Sequence, residues 1–108
     1  MKLLLWSDDL VDRLRLESLW RARGVEILKK NSAETPDCIA IDLAARDVLR
    51  HIAQLRARHP EVEIIGYAQR FNDELFAAAK AAGASDTSAA NSIIQRVERR
   101  RRRPAAEP

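Results

Sequence analysis

One cysteine, three glycines and five aromatic residues are all that 108 positions hold of those types, and each scarcity excludes something. Cys38 has no second thiol to pair with, so no internal disulfide staples the chain. Lying inside an apolar run, it reads as a small core residue, and a reducing cytoplasm is the compartment this usage implies. Gly24, Gly66 and Gly83 leave no room for a P-loop, a dinucleotide-binding fingerprint or a nucleophile elbow. The two histidines, His51 and His59, have no second cysteine or third histidine to complete a zinc site. No apolar run approaches the roughly 20 residues that span a bilayer. The N-terminal MKLLLWSDD meets acids after a run of four apolar residues, which makes it a strand and not a signal peptide, and no membrane partner is implied. There is no internal repeat.

What is present is alternation. Residues 3–6 (LLLW) and 38–41 (CIAI) are short apolar runs that end on acids, Ser7-Asp8-Asp9 and Asp42. Both read as strands buried on two faces, as central parallel strands are. Any of residues 7–9 can cap the helix that follows to about Arg23, with Val11, Leu16, Leu19 and Trp20 as apolar anchors and Gly24 as its C′ residue. Trp6 and Trp20 read as core. Residues 25–28 form a second strand. The nine polar residues KKNSAETPD then reach the third strand, fewer than a parallel crossover normally uses, so a bare loop with at most one helical turn is expected there. Asp47 is a candidate cap for a helix carrying Val48, Leu49, Ile52 and Leu55, which ends at Pro60. Residues 62–67 are the fourth strand. Asn72 caps the next helix, with Phe71 and Phe76 spaced as a hydrophobic staple and Gly83 closing it. Residues 85–89 make a short edge strand, and a last helix starts at Ile93 and runs into an arginine tract stopped by Pro104. Five strand–helix alternations predict a flavodoxin-like, doubly wound five-stranded parallel sheet of order 2-1-3-4-5, with its second helix shortened or missing. Residues 1–98 are the domain and 99–108 a basic tail or linker.

Net charge is +3, but residues 1–95 hold 13 Lys/Arg against 14 Asp/Glu, and residues 96–108 hold six Arg against two Glu. The basic excess belongs to Arg99, Arg100, Arg101, Arg102 and Arg103, whose simplest reading is a solvated helix end. A nucleic-acid reading stands below it, because no helix-turn-helix or stacking aromatics accompany the run.

Parallel neighbours would bring Asp8, Asp9 and Asp42 to the carboxyl rim of the sheet, where open α/β sheets place ligands. Three carboxylates there can hold Mg²⁺, and an aspartate beside that ion can accept a phosphoryl group. Helix capping is the plainer role for Asp8 and Asp9. A cap or solvent contact is the plainer role for Asp42.

At this point the residues resemble a family. KLLLWSDDLVDRLRLESLWRARG, PDCIAIDL and EIIGYAQRFNDELFAAAKAAGAS are similar, in that order, to segments of the receiver domain of bacterial response regulators. The resemblance implies Asp42 as the phosphoacceptor equivalent and Mg²⁺ as the ion. It implies no free-standing enzyme beyond self-phosphoryl transfer. It also implies a partner or homodimer contact through the helix after Asn72, the strand at 85–89 and the last helix. The departures are as informative. The family's acidic pair falls on Ser7-Asp8. Its switch hydroxyl falls on Tyr67, and no Ser or Thr occurs from 36 to 84. Its aromatic in strand five falls on Thr87. Its lysine falls on Ala90, and no lysine follows Lys80. The loop after Asp42 also lacks the family's Met-Pro and Gly pattern. These departures predict a pseudo-receiver that acts by protein contacts with no required cofactor, a working phosphoacceptor being the alternative. Tyr67 itself reads as a half-buried strand-end residue ahead of a partner-facing one.

Overall fold

The computed structural model describes residues 1–102, with side chains described through Arg100. Its order is β1 (Lys2–Trp6), α1 (Leu10–Ala22), β2 (Glu26–Leu28), β3 (Cys38–Asp42), α2 (Val48–Arg58), β4 (Glu63–Ala68), α3 (Asp73–Ala82), β5 (Asp86–Ala89), a 3₁₀ turn (Ala90–Ser92) and α4 (Ile93–Arg102). All pairings are parallel, in the order β2-β1-β3-β4-β5. The doubly wound five-stranded sheet expected from the alternation is therefore the one observed, and its second crossover is the bare loop. Ser32 N donates to Lys29 O at 3.0 Å, closing a single turn in it.

The apolar runs form the central strands because both of their faces are covered. Leu4, Ile39, Ile41 and Ile64 face α2 and α3 with Ile52 and Leu55. Leu3, Leu5, Ala40, Ile65 and Tyr67 face the other way, against Leu16 and Trp20 of α1 and Ile93 and Val97 of α4. Cys38 is buried in that second layer; burial, with Glu63 nearby, pushes its thiol up to about 12.

The caps are mixed. Asp9 caps α1, accepting from Asp12 N at 3.1 Å, and Asn72 caps α3, accepting from Leu75 N at 3.0 Å, with Phe71 and Phe76 edge-to-face at 5.3 Å. Asp47 precedes α2 in a left-handed conformation and makes no side-chain cap; it pairs with Arg50 instead. Gly83 ends α3 at φ 131°, and a Cβ there would stand 2.8 Å from Arg56 Cβ, so glycine is required. Arg56 shows why the approach is close. Its guanidinium donates to Gly83 O, His59 O, Pro60 O, Val62 O and Ser85 Oγ at 2.8 to 3.1 Å, stitching the end of α2 to the starts of β4 and β5.

Several expected core positions are not core. Val11 is 77% exposed, because α1 turns Leu16 and Trp20 inward. Leu49 is 39% exposed on the outer side of α2. Trp6 is only half-buried, since it points to the flank where the second helix is missing. At the other end, α4 continues through residue 98 to Arg102, so the expected boundary between 98 and 99 falls inside a helix. Arg100 is not solvated tail: it bridges Glu63 and Asp86. Arg103 lies outside the described residues.

Candidate functional site

Strand register builds the site. Leu3 and Leu5 face α1 and α4, so Ser7, one residue past the end of β1, falls on that side of the rim. Asp42 ends β3 on the same side and pairs in register with Tyr67, which pairs in turn with Ser88. Ser7, Asp42, Tyr67 and Ser88 are all buried, and Asp12 joins them from the first turn of α1. Ser7 Oγ donates to Asp42 Oδ2 at 3.3 Å. Ala44 N donates to Asp42 Oδ1 at 2.9 Å, an Asx turn that holds the carboxylate against the chain leaving β3. Tyr67 Oη donates to Asp12 Oδ2 at 3.3 Å. Asp42 thus caps neither α2 nor a solvated edge; it is 9% exposed and caps its own turn.

The electrostatics follow from that enclosure. Burial pushes the Asp42 carboxyl above its ordinary range, reinforced by the nearby Asp12 and Asp9 and opposed by the Ala44 amide and Ser7 hydroxyl. Burial first, then the charges of Asp42 and Asp12, pushes the Tyr67 phenol upward, so it stays a neutral donor. Both hydrogen bonds to Asp42 come from neutral groups, and among the described residues no cation contacts its carboxylate; Arg13 stops at the Ser7 carbonyl, to which it donates at 3.4 Å.

The expected acidic trio is not assembled. Asp9 is occupied as the α1 cap. Asp8 turns to the far side of the rim, where it accepts from Arg46 N at 2.8 Å and Lys30 Nζ at 3.3 Å. The Arg46 amide, then Lys30, hold its carboxyl below the usual range. Among the described residues no group of three or more His, Cys, Asp or Glu side chains is arranged to hold a metal ion. The donor set present does not fit a three-carboxylate Mg²⁺ site, and no step is derived through one.

Of the other expected positions, Tyr67 is 1% exposed, neither half-buried nor partner-facing. Thr87 is half-buried beside Gly66, and Ala90 is 8% exposed in the turn after β5. Asp12 is the residue the sequence reading missed. Its signal was present: Asp9-x-x-Asp12 places an acid at the third helical position after a cap, where it turns back toward the rim.

The sequence matches no family model and no curated protein. Solved structures do match. A response regulator from Burkholderia pseudomallei, with a phosphorylated aspartic acid, calcium ion and citrate, is 20% identical over 94% of this chain and 72% of its own, at a TM-score of 0.75. HP1043, an orphan response regulator of H. pylori, is 17% identical over 94% and 97% of the two chains, also at 0.75. Vibrio cholerae chemotaxis protein CheY4 is 15% identical over 91% and 96%, at 0.79. The fold is that of a response-regulator receiver domain. At these identities it is the receiver fold that is shared. Among the described residues, no helix of this receiver fold is long and apolar enough to cross a membrane.

Proposed function

We propose that this chain is a signal-transduction module of the receiver type that works through protein contacts without phosphorylation of Asp42. Tyr67 carries the reading. A buried phenol, bonded to Asp12 and in register with Asp42, stands where the receiver resemblance calls for a small hydroxyl residue. A phosphoryl group on Asp42 would bring about 1.5 to 2 negative charges beside Asp12 and Asp9. Among the described residues the Ser7 hydroxyl and the Ala44 amide are what hold the Asp42 carboxylate now, and the position matched to the resemblance's lysine is Ala90. Each missing charge-assisted contact costs about 1.5–3 kcal/mol. That is the size of the roughly 1–3 kcal/mol coupling a switch has to transmit.

The partner is a second protein or another copy of this chain, met through the α3–β5–α4 face. In this reading the module is not an enzyme and needs no cofactor. Nucleic-acid binding through the arginine run ranks lower, because Arg100 is already committed to Glu63 and Asp86. One observation favours the phosphoacceptor alternative. Asp42 ends β3 at the carboxyl rim, and the Burkholderia pseudomallei regulator of the same fold is described with a phosphorylated aspartic acid. Intact-mass measurement after incubation with acetyl phosphate and Mg²⁺ separates the two. We expect no adduct; a species heavier by about 80 Da, the mass of one phosphoryl group, that disappears in Asp42→Asn would establish the alternative.

A further inference from the structure

The bare crossover between β2 and β3 leaves the α2 side of β1 without the helix that parallel connections ordinarily lay over a sheet. Trp6 fills part of that gap. His51 lies against its ring at 4.4 Å between centroids, and Lys30 Nζ sits 4.7 Å from its centre. Two open hollows of about 440 and 210 Å³ flank it, and both are lined by Trp6, Lys30 and His51. The first also touches Asp8, Arg46 and Asp47, the second Arg58. The acids here are spoken for: Asp8 by Lys30 and the Arg46 amide, Asp47 by Arg50. The guanidiniums of Arg46 and Arg58 are not. Both residues are exposed, and neither side chain forms an ion pair or hydrogen bond among the described residues.

We propose that this flank is a docking groove for an acidic amphipathic helix of a partner protein, its apolar side on the part of Trp6 that Lys30 and His51 leave exposed and its carboxylates toward Arg46 and Arg58. Charge complementarity selects the occupant. The chain's own arginine-rich end is repelled by the same cations. His51 and Lys30 both crowd the Trp6 ring, so it offers no bare stacking platform to a nucleotide base. The groove lies toward the β2 edge of the sheet, the α3–β5–α4 face at the other, so the proposal stands or falls independently of the contact proposed above.

The test titrates the full chain with a synthetic helical peptide of leucine and glutamate at amphipathic spacing, and with its lysine-for-glutamate twin. Neither contains tryptophan. Trp6 emission and backbone amide shifts are followed. The glutamate peptide is expected to saturate, shifting Trp6 and the amides of residues 29–37 and 46–58. Its affinity should fall at least about tenfold in Arg46→Glu/Arg58→Glu, as for loss of close charge pairs, and fall again as salt screens them. Arg70→Glu should leave it unchanged, and the lysine twin should not bind. Far-UV circular dichroism checks the reversed variant, and Arg46→Ala and Arg58→Ala repeat the comparison without added charge. No binding of the glutamate peptide at low salt overturns the proposal, as does equal binding to the reversed variants or shifts confined to α3, β5 and α4. Sedimentation revealing a dimer that the reversals dissolve would overturn it in favour of a second copy.

Discussion

The two ends of the sheet treat the acids of its last three strands in opposite ways. At the amino-terminal end, Glu63 opens β4 and Asp86 opens β5, and two arginines of α4 reach both. Arg96 meets Asp86 at 2.6 Å, and Arg100 meets Glu63 at 3.2 Å and Asp86 at 3.6 Å. At the carboxyl end, Asp42 is more deeply enclosed than either and receives only a hydroxyl and an amide. Asp12 has Arg15 at 3.0 Å, and that arginine's side chain is more than half exposed. Cations on the last helix therefore hold the end away from the ligand-binding rim of an open α/β sheet. The rim is closed instead by a phenol. Charge placement makes one end a structural clamp and leaves the other an acid pocket filled from within.

Tyr67→Thr breaks the rim hardest. Truncating a fully buried aromatic costs about 3–5 kcal/mol, and the lost Asp12 bond adds to it. Urea unfolding should report a loss in that range. A loss within about 0.5 kcal/mol, the scale of an ordinary surface change, would mean that the phenol does not fill the rim. Arg100→Met breaks the opposite end. It keeps the packed stem and removes the charge, leaving Glu63 without its arginine. The expected cost is about 2 kcal/mol, since one partner of a partly buried pair is stranded. The same unfolding curves check it, and no measurable change would reduce the clamp to a screened surface pair.

Most of the fold could be read from the sequence because the strong signals are local. Residues 3–6 and 38–41 are apolar on both faces, and Asn72, Gly24 and Gly83 mark helix ends by chemistry that acts within a turn. The rim was harder to read. Whether Tyr67 points out or in depends on Asp12, 55 residues earlier and on another element. Trp6 and Trp20 look alike in sequence, yet Trp20 is fully buried between α1 and the sheet while Trp6 faces the flank that lost its helix. Strand alternation carried a clue there, because Trp6 points opposite to Leu3 and Leu5. The arginine run hid a structural member, Arg100. Arg96 and Arg100, four apart on a helix, share a face, and that spacing sets Arg100 apart from its neighbours.

The smallest expected effect sharpens the comparison most, because it changes sign between the two ends. Asp42 binds its proton more tightly folded than unfolded, since burial and two nearby acids disfavour its charge. Its ionisation therefore opposes folding. Stability is lost as pH rises from the ordinary carboxylate value, about 3.9, through the higher folded value, and stays lost above it. Asp42→Asn keeps the Ala44 bond and removes the charge, so at pH 7 it should stabilise the fold. That gain should shrink away as pH falls well below the ordinary carboxylate value of about 3.9, where the wild-type carboxyl becomes protonated in both states. Asp86→Asn removes the carboxylate that Arg96 and Arg100 both contact, and should cost about 1 kcal/mol at pH 7. Thermal melts of both variants between pH 3 and pH 7 decide the matter. If Asp42→Asn destabilises at neutral pH as Asp86→Asn does, a cation reaches Asp42 in solution, and the contrast between the two ends is wrong.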